Sequence, residues 1–466
     1  MKQQGQQNSS SKPRAIKLMV EPFNFLSFTE WECDLAFNQI GTLRISGLIA
    51  ESDRLAYAEM SRRETWVHAK ALDENGSEIT LFVGFLMNLT VDSQHQFHTM
   101  TIEVKTGNYL LDKTKHTRIF QPDETTYESM ISTCLSASGA EFIMREKQGE
   151  QAGQMTVQYK ETDYEFIQRL CRRMGIVTLP EWKTQGKRVL LGLTPNDSGG
   201  TLEASQYQMT QGSPDPYSLI RHEWGVYSVK TRDIYELGQS VNFQGRQLVI
   251  NEIKSRLEGS ELVHHYSLCM LKDAYEAQLP FTAIKGVSMR GSVTKAVRDK
   301  VEVIIHEDEN QGSKKLFEYS TVYSTPDGFG WFCNPDLGDE IRLLFNNANE
   351  RGAYVVSSVH LAEAGGRDNP ENKSWKNKQN MEIIFTPESI TVRDNRGSFI
   401  EVDTGKGVVI NSTNAISLQS DGQIVMNSQD GSLSAYGDRS LNLQQGSAHI
   451  SVQDEVDVSG GKINMN

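Results

Sequence analysis

The stretches Ile400-Glu-Val402, Val408-Val-Ile410, Ile416-Ser-Leu418 and Ile424-Val-Met426 repeat a pair of apolar residues every eight positions. Turn-forming residues, among them Asp403-Thr-Gly405 and Ser420-Asp-Gly422, separate the pairs. Alternate side chains of a strand share one face, and Asp, Asn and Gly supply the backbone angles and local hydrogen bonds that turns require. The repeat therefore predicts short strands joined by turns, each strand with two apolar side chains on one face.

Two inward side chains in every eight residues are too few for one chain to enclose a core. Three copies wound round a common axis would bring three such pairs together at each level, so the repeat predicts an intertwined trimeric β-helix, or β-prism, over residues 387–466. Its predicted core consists of Ile400, Val402, Val408, Ile410, Ile416, Leu418, Ile424 and Met426. A single-chain parallel β-helix needs a longer coil, and a disordered segment would not keep apolar residues in phase.

Length and composition limit the classes of protein to consider. The chain has 466 residues, enough for about three domains. It contains no apolar run long enough to span a membrane, and residues 1–11 have no hydrophobic segment, so we expect no signal peptide and synthesis in the cytoplasm. The net charge of -13 disfavours nucleic-acid binding, which depends on neutralising phosphates with Lys and Arg. Five widely spaced cysteines predict reduced, mostly buried thiols.

The first part of the chain alternates between strand and helix patterns. Residues 1–13 are predicted to be a disordered tail, and residues 14–280 a strand-rich region with helical insertions. The clearest helix is predicted from Thr162 to Met174, where Thr162 and Glu165 form a capping-box pattern and Gly175 follows as a C-terminal cap. His264-His265 lies within a predicted strand, where adjacent side chains point to opposite faces, so we expect no shared metal ion.

Residues 281–365 contain five strand patterns, a number and spacing that match an OB-fold barrel. Because of the acidic charge, we expect this barrel to act as a spacer rather than to bind oligonucleotides. Trp331-Phe332 is as compatible with a place in the core of this barrel as with an exposed position on its surface. The acidic stretches Glu307-Asp-Glu309 and Asp454-Glu455 are expected to be solvated turns rather than a glycosidase dyad. Residues 366–386 are predicted to form a polar connector.

The segments Gln158–Ile176 and Pro335–Phe345 carry distinctive motifs, and both resemble segments of the VgrG and phage late-control D family of hub-and-spike proteins. The first resembles the family's Q-Y-x-E-S/T-D-x-x-F-x-x-R-L-x-x-x-x-G-I segment through Gln158, Tyr159, Glu161, Asp163, Phe166, Arg169, Leu170, Gly175 and Ile176. The second, Pro335–Phe345, resembles the family's P-x-x-G-D-E segment through Gly338, Asp339 and Glu340. The following loop, with Asn347 and Glu350, departs from the pattern of many relatives. In the family these residues are structural, so we assign them no chemistry.

The resemblance implies a mainly β fold: two hub β-barrels with helices, an OB-fold barrel and a C-terminal trimeric β-helix. It implies a homotrimeric hub and cell-puncturing spike of a contractile injection system, which meets an Hcp-like inner-tube protein and baseplate proteins and can carry effector cargo. Such a particle pierces the target membrane mechanically and is secreted or delivered into the target cell. Because His449 stands alone, without a His-x-His motif for a metal ion, we expect a PAAR-type protein at the tip, contacting Ile463, Met465 and Asn466.

Motifs of catalysis are missing from the sequence. It contains no Gly-x-Ser-x-Gly, no His-Glu-x-x-His and no phosphate-binding loop, so we expect no enzyme, no cofactor and no metal site. Two alternatives remain open. A receptor- or carbohydrate-binding tail fibre would be favoured by exposed aromatic clusters on a barrel. A cargo-bearing enzyme is disfavoured by the missing motifs.

Overall fold

A computed structural model of the chain describes residues 12–60, 64–94, 97–194, 198–204, 206–211, 225–312, 315–325, 327–357, 369–453 and 455–462. The contacts within the chain separate two units, residues 1–359 and 360–466, and each is described by itself. The predicted tip contacts Ile463, Met465 and Asn466, and nearly all of the predicted N-terminal tail, lie outside the described residues. Within the described ranges, no helix is long and apolar enough to cross a membrane.

Strands form most of the first unit up to residue 269. They are β1 (Lys17–Glu21), β2 (Ser27–Ala36), β3 (Thr42–Ile49), β4 (Trp66–Leu72), β5 (Glu78–Gln94), β6 (Phe97–Lys105), β7 (Lys115–Phe120), β8 (Glu141–Met144), β9 (Thr156–Thr162), β10 (Thr178–Pro180), β11 (Arg188–Leu191), β12 (Ser198–Thr201), β13 (Tyr207–Thr210), β14 (Val226–Thr231), β15 (Ser240–Phe243), β16 (Arg246–Glu258) and β17 (Glu261–Cys269). The α-helices are α1 (Arg54–Met60), α2 (Tyr127–Ser136) and α3 (Asp163–Met174). Short 3-10 turns lie at Glu51–Asp53, Gly107–Leu111, Leu271–Asp273, Thr282–Ile284 and Glu350–Gly352.

Both predicted hub barrels contribute to one 12-stranded sheet, whose main path runs β1-β4-β5-β6-β3-β2-β16-β17-β14-β13. Strands β12 and β15 join it through β16. The two halves meet where β2 pairs antiparallel with β16, from Glu32 beside Arg256 to Ala36 beside Glu252. Alternating side chains of these strands fill a single core that includes Trp31. The predicted mainly β fold is confirmed, and it includes a nearly closed barrel.

The prediction for helix α3 is confirmed at both ends. The Thr162 hydroxyl accepts a hydrogen bond from the Glu165 backbone N–H, and the Glu165 carboxylate accepts one from the Thr162 N–H. Gly175 ends the helix in the left-handed conformation, with φ 68°. The apolar face of α3 packs with α2 in a second core that contains Phe166 and Leu170.

Five strands form the small barrel that follows the hub. They are β18 (Ser288–Val297), β19 (Lys300–Ile305), β20 (Leu316–Glu318), β21 (Glu340–Phe345) and β22 (Ala353–Ser357). They pair in the order β20-β19-β18-β21-β22, and a parallel bridge between Tyr319 and Val355 links the two ends of this order. Strands β19 and β21 bury every second residue, which is the pattern of a strand with one face in a core.

The second unit contains two antiparallel sheets. The first consists of β23 (Lys373–Lys376), β24 (Glu382–Phe385), β25 (Ser389–Arg393), β26 (Phe399–Asp403) and β27 (Gly407–Asn411), and the second of β28 (Leu441–Gln445), β29 (Ala448–Val452) and β30 (Val456–Ser459). Each strand pairs with the next one along the chain. The first sheet begins at Lys373, inside the stretch predicted to be a connector.

The predicted strand repeat is only partly observed. Turns of the predicted kind are present, and the Asp403 carboxylate accepts hydrogen bonds from the backbone N–H groups of Gly405 and Lys406. Residues 412–440, between β27 and β28, contain no strand in this single chain, and the strands expected there in a three-chain assembly stay a prediction. The affected core positions are Ile416, Leu418, Ile424 and Met426, and all four are exposed. A strand needs a hydrogen-bonded neighbour, and this stretch has none within its own chain.

Candidate functional site

The segment that resembles the hub family lies where helix α3 meets the five-stranded barrel. Strand β9, at the start of this segment, pairs with β7 in a two-stranded ribbon. Val157 on β9 and Ile119 on β7 belong to the core of the barrel, whereas Phe166 and Leu170 belong to the core around α3. Residues of one short segment thus contribute to the cores on both sides of the junction.

A buried polar network fixes the turn between β9 and α3. The Arg118 guanidinium donates to the Asp163 carboxylate at 2.6 Å and to the Gln158 side-chain oxygen at 2.8 Å. The Gln158 amide nitrogen donates to Asp163 at 3.1 Å and to the Glu161 carbonyl at 3.2 Å. All three side chains are buried, and a buried charge is tolerated when it is paired and hydrogen-bonded. Gln158 and Asp163 thus both bind the buried Arg118 guanidinium and each other.

Arg169 connects four groups at the junction. Its guanidinium pairs with both carboxylate oxygens of Glu161, at 2.6 and 2.8 Å, and donates to the Val157 carbonyl at 2.6 Å. It also lies 3.8 Å from the centre of the Phe281 ring, where cation and ring attract each other. A fourth contact reaches the Glu350 carboxylate at 3.1 Å. Arg169 thereby joins β9 and α3 to Phe281, which precedes the barrel, and to Glu350, which lies between the barrel strands β21 and β22.

Glu350 lies in the loop that departs from the pattern of many relatives, and it is only 2% exposed. Besides Arg169 it binds Arg173, whose Nη2 lies 2.6 and 2.8 Å from the two carboxylate oxygens. Sequence reasoning missed this pairing, because nothing in the local pattern around either residue indicates a partner so far along the chain. The only available signal was that the loop is unusual.

Two acidic residues that follow β19, Asp308 and Glu309, join the barrel to β7. The Asp308 carboxylate accepts a hydrogen bond from the Ile119 N–H at 2.8 Å, and Glu309 accepts one from the Thr117 N–H at 3.0 Å. The expectation of a solvated turn is wrong for Asp308, which is buried because it satisfies backbone donors of β7. Burial raises the pKa of Asp308, and hydrogen bonds from Ile119 and two other backbone groups oppose that shift. The other acidic stretch is described only at Glu455, which is exposed.

Gly338, Asp339 and Glu340 form the turn that leads into β21. Gly338 has φ 85° and donates its N–H to the Val293 carbonyl at 2.8 Å. The Asp339 backbone carbonyl accepts a hydrogen bond from the Val293 N–H, and Glu340 pairs with Arg290 at 2.8 Å. These contacts hold the start of β21 against β18.

Two histidines that the sequence singles out point to opposite faces of β17, as predicted. His264 is buried and lies 2.7 Å from the Ser255 hydroxyl, whereas His265 is partly exposed and lies 3.5 Å from the Glu258 carboxylate. Among the described residues, no group of three or more His, Cys, Asp or Glu side chains is placed to hold a metal ion.

Trp331 and Phe332 do not lie in the barrel core. They are exposed in the long connection between β20 and β21, together with Phe329 and Tyr323. Of the two positions left open by the sequence, the structure therefore favours the exposed one. The barrel closes its core with Phe317 and Phe345 and leaves no need for these rings.

The five-stranded sheet of the second unit has one apolar face. Residues paired directly across an antiparallel sheet share a face. The pairs align Trp375, Ile383, Phe385, Ile390, Val392, Ile400, Val402, Val408 and Ile410 on one side. Residues between them, such as Thr391 and Glu401, belong to the other side. The predicted core residues Ile400, Val402, Val408 and Ile410 are thus brought together in register.

This face has no cover within the described chain. Ile400 is 49% exposed and Val408 67% exposed, and most of the other apolar residues on this face are also exposed. The three-stranded sheet repeats the arrangement, because pairing aligns Leu441, Leu443, Ala448, Ile450, Val452, Val456 and Val458 on one face. Large contiguous apolar surfaces are rare on soluble monomers and mark sites of association.

Comparisons with known proteins agree with this architecture. Residues 37–227 match the family model described as phage tail baseplate hub (GPD). No curated protein sequence matches the chain. Among solved structures, the chain is similar to the E. coli c3393 protein, described as a type VI secretion component with structural similarity to T4 tail proteins gp27 and gp5. That match has 13% identity and a TM-score of 0.51, and covers 73% of this chain and 99% of the other.

A second similar structure comes from the half-lidded Francisella PdpA–VgrG complex, with 8% identity and a TM-score of 0.56. The match covers 86% of this chain and 88% of the other. At these identities, similarity of structure concerns the fold. The strand-rich hub, the small barrel and the hub-domain match define a structural protein of the phage-tail baseplate class. The match over residues 37–227 supports the resemblance to the VgrG and phage late-control D family of hub-and-spike proteins.

Proposed function

We propose that three copies of the chain assemble into the hub and cell-puncturing spike of a contractile injection machine. The observation that carries this proposal is the uncovered apolar face of the five-stranded sheet. Complete burial of a Val or Ile side chain contributes about 1.5–3 kcal/mol, so covering the face would stabilise an assembly strongly. Strand ladders that cross-link three chains along one axis would make a stiff rod, which suits a mechanical role.

The measurement that tests the proposal is the mass of the full-length protein by light scattering. We expect three times the 52.4 kDa mass of the chain. A dimer would indicate two sheets packed face to face instead of a three-sided prism. A monomer would overturn the spike proposal.

Paired substitutions test whether the apolar face holds the assembly. Ile400→Asn with Ile410→Asn places polar groups on that face, and we expect the trimer to dissociate. The matched control is Thr391→Asn with Val409→Asn, on the opposite side of the same sheet. If both pairs change the mass equally, the effect comes from loss of strand stability, and the face has no special role.

Several finer assignments belong to the same proposal. The hub, residues 14–280, would meet an Hcp-like inner-tube protein and baseplate proteins. The strand order of the small barrel fits an OB-fold over 281–365, with a spacer role. The spike over 387–466 would end in a PAAR-type tip protein, and effector cargo could travel with the particle. The particle would assemble in the cytoplasm and be delivered outward, piercing the target membrane mechanically.

The tip assignment has its own test. Full-length protein should retain a PAAR-type protein encoded near its gene, and a chain ending before Ile463 should not. Equal retention by both chains would contradict a tip contact through Ile463, Met465 and Asn466.

A receptor- or carbohydrate-binding tail fibre is the second candidate. One observation favours it, namely the exposure of Trp331 and Phe332 on the barrel. Binding of peptidoglycan fragments to full-length protein, lost in Trp331→Ser, would support this candidate.

A further inference from the structure

The connection between β20 and β21 presents a dense group of large apolar side chains. We call residues 321–325 and 327–337 the aromatic hairpin. Its exposed apolar members range from 52% to 96% exposed. They are Val322, Tyr323, Phe329, Trp331, Phe332 and Leu337. The proposed hub-and-spike role does not use them.

Backbone hydrogen bonds give the aromatic hairpin a defined shape. The Trp331 N–H donates to the Tyr323 carbonyl at 2.8 Å, and the Thr325 N–H donates to the Phe329 carbonyl at 2.8 Å. Gly330 lies between them with φ 136°, and a Cβ there would approach the Tyr323 carbonyl oxygen to 2.3 Å. A glycine is therefore required for this close strand approach. The rings are held on an ordered turn, which lowers the entropy lost when they pack against a partner.

The aromatic hairpin lies at the end of the barrel from which the chain leaves. Tyr319 pairs in parallel with Val355, and the Ser320 N–H donates to the Val355 carbonyl. The chain after Ser320 therefore runs in the same direction as β22, toward Ser357. That residue pairs with Ile341, beside the point where the connection re-enters the barrel. The exit of the chain and both ends of the connection share one end of the barrel.

We propose that the aromatic hairpin packs against the hairpins of the two neighbouring copies of this chain. The three hairpins would together form an apolar collar. This inference rests on the proposed trimer. Residues 358–368 connect the barrel to the next described residues and can span at most about 40 Å, so association of three chains through their second units would keep the three barrels within reach of one another. The hairpins would then meet at a high local concentration.

The composition of the hairpin favours a protein neighbour over a sugar. Val322 and Leu337 are aliphatic, and Phe329 and Phe332 carry no polar group, so these side chains cannot bind sugar hydroxyls through hydrogen bonds. Aromatic side chains packed against one another or against aliphatic groups gain from burial and from ring geometry. Packing against a second copy would bury all of these side chains away from water.

Cys333, next to Phe332, provides a natural reporter of hairpin proximity. It is exposed, whereas the other four cysteines are buried. A short bismaleimide should join two of the three Cys333 thiols in native full-length protein and give a covalent dimer on a denaturing gel. The yield should stay constant on roughly tenfold dilution, since effective concentrations within an assembly reach the order of mM. Cys333→Ser should abolish the product.

Trp331→Ser with Phe332→Ser should reduce cross-linking at least about tenfold, the effect of about 1.4 kcal/mol. The matched control is Leu55→Ser with Phe97→Ser, two exposed apolar residues of the hub, and it should cross-link like the natural chain. A trimer by light scattering without cross-linking, or with unchanged cross-linking in the hairpin variant, would overturn the collar and leave the trimer standing. A monomer would overturn both. Peptidoglycan binding lost in the hairpin variant, without cross-linking, would assign the hairpin to a sugar instead.

Discussion

Arg173 and Glu350, separated by 177 positions in the sequence, form a buried ion pair, with Nη2 of the arginine 2.6 and 2.8 Å from the two carboxylate oxygens. Arg169 adds a third charge to the cluster at 3.1 Å. The cluster links helix α3 to the 3-10 turn between β21 and β22. It therefore joins the hub to the small barrel.

Removal of Glu350 should destabilise the first unit markedly. Glu350→Ala leaves the Arg173 guanidinium buried without its carboxylate, and breaking a buried pair typically costs about 3–5 kcal/mol. The free energy of unfolding, measured with urea, should fall by an amount of that order. The pair's side chains are only 8% and 2% exposed, so solvent cannot compensate for the loss.

Glu236→Ala is the control for Glu350→Ala. Glu236 pairs with Lys183 at 2.5 Å, but both side chains are more than 40% exposed. Exposed pairs contribute about 1 kcal/mol or less, so the control should be nearly neutral. Equal losses in the two variants would show that the Glu350 cluster contributes no more than a surface ion pair.

The C-terminal end of α3 gives a second prediction. Gly175 has φ 68°, and no neighbouring atom would contact an added Cβ. Backbone strain alone should then determine the effect of substitution. Gly175→Ala should lower the free energy of unfolding by about 1–2 kcal/mol, and Gly175→Asn by less, because Asn adopts the left-handed conformation more readily. Denaturant unfolding of the two variants checks this order, and an Ala variant as stable as the natural chain would contradict it.

Features set by neighbouring residues could be predicted from the sequence. The caps of α3 depend on Thr162, Glu165 and Gly175, all within one short segment, and their geometry is as expected. The apolar face of the second unit also follows from residue spacing alone. In each case, the interacting groups are fixed by local backbone periodicity.

Features that depend on distant partners could not be predicted. No spacing rule connects Glu350 to Arg173, or Asp308 to the Ile119 N–H. The second unit shows the same limit in another form, because spacing identifies which face of a strand is apolar but does not supply its hydrogen-bonded neighbour. The stretch from Ile416 to Met426 has the predicted spacing and no strand in the single chain.

The buried thiols give a third prediction. Burial raises the pKa of Cys33, Cys134 and Cys269 to about 12, and it also raises the pKa of Cys171. The thiolate is the reactive form, so alkylation should be much slower than that of a free thiol.

Mass spectrometry of a Cys333→Ser variant after treatment with iodoacetamide checks this prediction. The folded Cys333→Ser variant should remain unmodified at mildly alkaline pH. After unfolding, each of its four cysteines should be alkylated. The natural chain, with Cys333 present, is the control for reagent activity. Rapid modification of any of the four in the native variant would contradict their burial.

His264 gives a prediction about pH. Its burial lowers its pKa to about 4 from 6.5, the positive charge of His265 acts in the same direction, and Asp233 opposes the shift. Between these two pH values the unfolded chain binds a proton that the folded chain does not. Stability should therefore be unaffected by His264 above about pH 6.5 and fall as the pH drops toward 4, by about 3 kcal/mol in all.

A comparison of variants isolates this effect from the titration of carboxylates. Between pH 6.5 and 4, the free energy of unfolding of His264→Gln should fall less steeply than that of the natural chain. The reason is that the substituted side chain no longer takes up a proton on unfolding. His265→Gln is the control. That residue is partly exposed on the opposite face of β17, so the variant should retain most of the steep dependence. Parallel stability curves for the natural chain and His264→Gln would mean that protonation of the buried ring does not contribute to unfolding in acid.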